Sequence, residues 1–116
     1  MANEPTCNWI GGSGTSYTYW IHALPVSLSP NQAGNYIYAK LNTERKWVPV
    51  YIGEGDLAER AGPGHHKAVC IKRKGATHFH CHAAGREQDR NREEADLLAG
   101  YTNAYEPYGC NEKTGG

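Results

Sequence analysis

Hydrophobic and aromatic residues come in short runs over most of the chain, which is the pattern of strands rather than of long helices. The stretch 17–24 (YTYWIHAL) is aromatic and β-branched and reads as a strand. Pro25, Pro30, Asn31 and Gly34 then mark a loop. Residues 35–41 (NYIYAKL) and 47–52 (WVPVYI) read as two further strands joined by a polar connection of hairpin length. Pro49 cannot donate to a ladder, so it predicts a bulge or an unpaired edge in the second of this pair. A tight turn is expected at 53–55, and Asp56 is placed to cap a short helix over 57–61. The segment 62–66 (GPGHH) breaks that helix. Residues 66–74 are helix-competent and Gly75 is a natural C-terminal stop. Residues 76–83 (ATHFHCHA) alternate as a strand does, and 86–101 is the longest helix candidate, with its acidic residues early. Residues 1–16, rich in Gly and Ser, read as a loose N-terminal arm, and 112–116 as a tail.

Composition narrows the class. A chain of 116 residues with 39% hydrophobic and 21% charged residues suits one globular core. Eight tyrosines and three tryptophans stand against one phenylalanine, so most aromatics carry a polar group that needs a partner when buried. The predicted fold class is α+β, a small antiparallel sheet flanked by helices. No apolar run reaches membrane-spanning length and no signal peptide opens the chain. The widely spaced Cys7, Cys70, Cys81 and Cys110 suggest reduced thiols in a cytoplasmic protein.

Formal net charge is zero, but its distribution is uneven. Lys67, Lys72, Arg73 and Lys74 form a basic run with His65 and His66 beside it, which offers a face for nucleic-acid phosphates. Helical spacing puts Lys67 and Lys74 on one side of that run. On the longest helix, Glu94 shares a face with Leu97, Leu98 and Tyr101, whereas Glu93 lies one step off and is expected in solvent. A carboxylate on an apolar face is costly unless it is paired or binds a metal. His78, His80 and His82 alternate with Phe79 and Cys81 and so share one strand face. They invite a zinc reading, although no matching ligand pair stands elsewhere.

The ordered motifs Gly34-Asn35-Tyr36, Tyr51-Ile52-Gly53, Asp56-Leu57-Ala58-Glu59-Arg60, His65-His66, Glu94-Ala95-Asp96-Leu97-Leu98, and then Pro107 and Asn111 span residues 34–111. Through them the chain resembles the GIY-YIG endonucleases. It departs from their pattern at Asn35, where the family has Ile, in a shorter Gly53–Arg60 turn, and in wider spacings after Glu94. The resemblance implies a metal-dependent cut of phosphodiester bonds in DNA. Glu94 is expected to hold Mg2+ or Mn2+. Arg60 is expected to bind the scissile phosphate, because its planar fork suits phosphate oxygens. Tyr36, Tyr51 and His65 or His66 would share the general-base and positioning roles, and Gly53, Lys67 and Asn111 would contact substrate. A base role for either tyrosine requires a lowered pKa. Two alternatives remain open at this point: a catalytically silent nucleic-acid-binding module, and a zinc-stabilised interaction protein built on the histidine strand.

Overall fold

Five strands form a single antiparallel sheet in the computed structural model, which describes residues 5–113. They are β1 (Thr6–Ile10), β2 (Ser16–Ala23), β3 (Ala33–Leu41), β4 (Trp47–Asp56) and β5 (His78–Ala83). Their order is β1-β2-β5-β3-β4, so β5 inserts between two strands that precede it in the chain. Three α-helices accompany them: α1 (Leu57–Arg60), α2 (Ala68–Arg73) and α3 (Glu87–Gly100). The α+β class and the antiparallel sheet agree with the sequence reading. No helix among the described residues is long and apolar enough to cross a membrane.

Strand alternation sorts the core into two layers. Tyr36, Tyr38, Phe79 and Cys81 point to the face covered by α1 and α2, where they meet Leu57 and Ile71. Ile37, Ala39 and Ile52 point to the opposite face, where they meet Trp9, Tyr19 and Leu97 of α3. The histidine strand follows the same rule. Trp9 Nε1–H donates to His80 Nδ1 at 3.1 Å, which leaves the neutral ring's proton on Nε2. Burial pushes His80 down to about 3. His82 Nε2 pairs with Glu93 at 2.6 Å, and His78 Nδ1 lies 2.8 Å from the Thr77 hydroxyl. The three rings thus serve separate partners, and no three His, Cys, Asp or Glu side chains among the described residues group so as to hold a metal ion.

Several expectations need correction. The N-terminal arm is not loose from Thr6 onward: β1 pairs with β2 from Thr6↔Trp20 to Ile10↔Ser16. Its turn is pinned to α3, because Asp96 accepts from Ser13 N, Ser13 Oγ and Tyr17 Oη at 2.7–2.8 Å. Residues 1–4 and 114–116 lie outside the described residues. The turn expected at 53–55 is strand instead, since Gly53 pairs with Tyr36, Gly55 with Gly34 and Asp56 with Ala33. The thiol expectation fails for one pair: Cys70 and Cys110 form a disulfide, so cysteine usage no longer argues for a reducing compartment. Glu93 is not in solvent. It is only 8% exposed and accepts from Tyr19 Oη and His82 Nε2. Two donors from neighbouring strands solvate it in place of water.

The reading of Pro49 holds on both counts. β4 is an edge strand, and its register with β3 slips between Tyr38↔Tyr51 and Ala39↔Pro49, leaving Val50 as the extra residue. The bulge turns Val50 and Tyr51 toward the same core layer, which re-aims the tyrosine as bulges do.

Gly34 is required by close approach. A Cβ there would sit 2.1 Å from the carbonyl oxygen of His82 on the neighbouring strand. Gly34→Ala is expected to destabilise the fold by on the order of 3 kcal/mol, because only backbone movement relieves the clash. Urea denaturation checks this, and a loss under about 1 kcal/mol would show that β3 and β5 are further apart than described.

Candidate functional site

At the β4 edge, four parts of the chain converge on a cavity of about 410 Å3. β4 contributes Tyr51, and the loop before α2 contributes His66 and Lys67. From α3 come Glu94, Ala95 and Leu98, and from the C-terminal segment Tyr105, Asn111 and Glu112. Tyr51, His66, Lys67, Glu94 and Asn111 were all singled out in the sequence, and they meet here. Tyr36, Gly53, Arg60 and His65 are not in the cavity wall. Tyr36 and His65 pack against the wall residue Tyr51, and the Arg60 charge acts on Tyr36, Tyr51 and Glu94.

Local rules set each piece. Asp56 caps α1 by accepting from Glu59 N at 3.1 Å, so the Asp-Leu-x-x-Arg stretch begins a helix where it should. Tyr38 Oη donates to the Arg60 carbonyl at 2.6 Å and clamps the end of that helix onto β3. Gly53 lies opposite Tyr36, and a Cβ there would sit 2.5 Å from the Tyr36 hydroxyl oxygen. Gly55 has φ +142°, and a Cβ there would sit 2.6 Å from Arg60 Nε. These two glycines make room for the Tyr36 ring and the Arg60 side chain respectively. Asp56 is engaged by its cap, and among the described residues Arg60 has no carboxylate at ion-pair distance. Its Nε is buried and unpartnered.

The aromatic groups form one contiguous set. His65 packs edge-on to Tyr36, Tyr38 and Tyr51, and stacks on His66 at 4.6 Å. His65 is 6% exposed, and burial, with His66 and Arg60 adding to it, pushes its pKa down to about 4. It is therefore neutral at pH 7. Its Nδ1 accepts from Lys67 N at 2.9 Å, so the ring's proton is on Nε2. That Nε2–H points at the Tyr36 oxygen, 2.7 Å away. Tyr36 therefore accepts from His65 and cannot pass its own proton to it. Burial pushes Tyr36 far above the ordinary tyrosine range, with Tyr51 adding and Arg60 opposing. Tyr51 is also raised, by burial first and Glu94 next, against Arg60 and Lys67. Both hydroxyls are thus protonated at rest, contrary to the lowered pKa a resting base would need. Tyr51 Oη lies 3.3 Å from His66 Nε2.

Glu94 is half-buried, and its pKa is raised to about 7 by burial first and by Glu54 next, with Arg60 pulling down. A carboxyl group poised at neutrality in a cleft is a mark of functional sites. One carboxylate and room for several waters also suit Mg2+ or Mn2+, which keep part of their hydration shell. Asn111 spends its side chain on β4: its Oδ1 accepts from Ile52 N and its Nδ2 donates to Ile52 O, both at 2.9 Å. It extends the sheet edge between Tyr51 and Gly53. Lys67 and Lys74 flank α2 as its two caps, and both reach the C-terminal segment. Lys67 pairs with Glu112 and Glu106, and Lys74 Nζ donates to the Pro107 carbonyl.

Sequence reasoning missed Glu54, Gly55, Tyr105 and Glu112. The Gly-Glu-Gly run around Glu54 was a usable signal, because alternate glycines in a strand mark close approach of other groups. Nothing local points to Tyr105 or Glu112. The chain matches no family model, no curated protein and no solved structure.

Proposed function

We propose that this chain is a GIY-YIG-type endonuclease that hydrolyses phosphodiester bonds in DNA with a divalent cation. The observation that carries the reading is the convergence of Tyr51, His66, Lys67 and Glu94 on one cavity from three separate elements. Tyr36 and His65 pack against Tyr51, and the Arg60 charge acts on Tyr51 and Glu94.

Glu94 is the residue that would hold Mg2+ or Mn2+. Bound there, the ion supplies Lewis-acid stabilisation of phosphoryl-oxygen charge and lowers the pKa of a water. The chain's own groups do the rest. Arg60 offers its guanidinium to the phosphate oxygens, with charge that no carboxylate among the described residues neutralises at contact distance. Neutral His65 holds the Tyr36 oxygen through Nε2–H and so fixes the buried Tyr36 ring against Tyr51, which makes Tyr36 a positioning residue. Tyr51 and His66 form the general-base pair. Tyr51 Oη takes the proton of the attacking water as its own proton passes to His66 Nε2. A neutral tyrosine can serve this way because it relays a proton without resting as phenolate.

The test is cleavage of linear, nicked, branched and single-stranded DNA with Mg2+ or Mn2+, across pH. Cation binding needs ionised Glu94, and its proton leaves near pH 7. At sub-saturating Mg2+, kcat/KM is therefore expected to fall below neutrality, toward a limiting slope of about tenfold per pH unit. Raising Mg2+ should move that limb to lower pH. DNA binding with no metal-stimulated cutting of any substrate would make the chain a binding module. Neither binding nor cutting would overturn the nucleic-acid reading altogether.

A further inference from the structure

The basic loop and the C-terminal segment meet at the cavity through the Lys67–Glu112 ion pair, and one covalent bond joins their supports. α2 carries His66 and Lys67 at its N-terminal side, yet it has only six residues and no side-chain cap. A helix that short does not stand by itself. Ile71 is its one buried residue. Lys40 of β3 donates to the Lys74 carbonyl at its C-terminal end, 2.8 Å away, and further ties run to the segment between Tyr105 and Glu112. Lys74 holds the Pro107 carbonyl, and Lys67 pairs with Glu106 and Glu112, whose side chains are 52% and 66% exposed. Exposed ion pairs of that kind hold weakly. The strong tie is the disulfide from Cys70 in the middle of α2 to Cys110. Cys110 is fully buried and its N–H donates to the Val50 carbonyl at 2.8 Å, while the next residue, Asn111, brackets Ile52. Cys110 and Asn111 are thereby fastened to β4 on either side of Tyr51. The bridge fixes the His66–Lys67 wall relative to Tyr51.

We propose that the Cys70–Cys110 disulfide is a redox-sensitive positioning element of the site, which is assembled in the oxidised protein and loosened by reduction. This rests on the nuclease reading for its consequence, though not for its geometry. Cys70 is the more exposed of the two residues, being half-buried where Cys110 is fully buried. A thiolate of a dithiol reductant attacks Cys70 Sγ. The S–S bond breaks, and Cys110 leaves with the electron pair and takes up a proton. The reductant's second thiolate then attacks the mixed disulfide. Cys70 is released and protonated, and the reductant departs as a disulfide. Two electrons and two protons have passed to the protein. α2 then loses its covalent tie to the C-terminal segment that is hydrogen-bonded to β4, and His66 leaves its place beside Tyr51.

The test compares the oxidised full chain with the same chain reduced by a dithiol. Reduction is expected to lower kcat/KM for duplex DNA by on the order of tenfold to a hundredfold, the usual cost of a catalytic group misplaced by about an ångström. The imidazole NMR signals of His65 and His66 should shift, and amide exchange over 66–74 should speed up, while the signals of the Trp9 core layer stay. The Cys70→Ser/Cys110→Ser variant should behave as the reduced protein and ignore the dithiol. Cys7→Ser, which leaves the bridge intact, should respond as the wild type does. Unchanged histidine signals and unchanged exchange on reduction would overturn the proposal. Loss of the Trp9 signals would do so too, since the bridge would then hold the whole fold rather than the site. If neither redox state cuts DNA, the nuclease reading has failed, and the histidine and exchange measurements still decide the positioning claim.

Discussion

Glu94→Gln is expected to abolish Mg2+-dependent cleavage, by about a thousandfold or more, and to make the protein more stable at pH 8. The two effects have one cause. The site holds a carboxyl group where burial and Glu54 oppose its charge, which raises its pKa from 4.5 to about 7. A carboxyl group whose folded pKa is raised favours the fold fully below its unfolded pKa, and that advantage is lost as pH rises through the folded value. Above pH 7 the wild type carries an ionised carboxylate in a place that disfavours it. Gln keeps the shape and has no charge to desolvate. After discounting for the solvent that reaches a half-exposed group, the gain at pH 8 is on the order of 1–2 kcal/mol. That amounts to a few degrees in Tm, and it should shrink at pH 5, where the folded wild-type group is protonated but the unfolded one is still largely ionised, and vanish only well below the unfolded pKa of 4.5. Thermal melts in EDTA at both pH values, paired with a plasmid-nicking assay, check both halves. Cleavage at the wild-type rate would remove Glu94 as the cation ligand. A lower Tm at pH 8 would mean that its charge has a stabilising partner.

Arg60→Lys is expected to lose most turnover, by roughly a hundredfold, without moving the pH profile. The charge survives, so the pull on Glu94 survives and the acidic limb stays near pH 7. What is lost is the planar fork, since a Lys ammonium cannot make two parallel contacts to a phosphate. Arg60→Gln separates the two contributions. It removes the charge that holds Glu94 down, so the limb should move to higher pH and the Mg2+ requirement should rise. Near-normal turnover in the Lys variant would reduce Arg60 to a generic positive charge. An unmoved limb in the Gln variant would place it too far from Glu94 to matter.

The position of Glu93 shows how a helix can be read correctly and still be misjudged by one residue. Spacing put Glu94, Leu97 and Leu98 along one face, and α3 does turn Leu97 into the core and Glu94 and Leu98 toward the cavity. The buried line is Glu93–Leu97. A carboxylate is affordable there because Tyr19 and His82 both donate to it. Tyr19 lies 74 residues earlier in the chain, and no periodicity within α3 announces it. The turn expected after Tyr51-Ile52 failed for a similar reason. Glycines that read as a turn are strand residues because Gly34 and Tyr36 of β3 lie opposite them.

What the sequence determined by itself is local: the α+β class, the β3–β4 hairpin with its bulge at Pro49, the Asp56 cap, the stop at Gly75 (φ +84°) and the alternation of β5. Each follows from the residue's own backbone or from neighbours a few positions away, so it is written in the pattern. The tertiary structure alone decided that β5 lies between β2 and β3 and that the N-terminal residues from Thr6 join the sheet. It alone decided that Glu93 is buried, that His65 rather than His66 holds Tyr36, and that Cys70 meets Cys110 across 40 residues. Those outcomes depend on which distant group supplies a donor, an acceptor or a sulfur at bonding distance. Pairing over that range is set by the packing of the whole chain, because no single segment holds both partners.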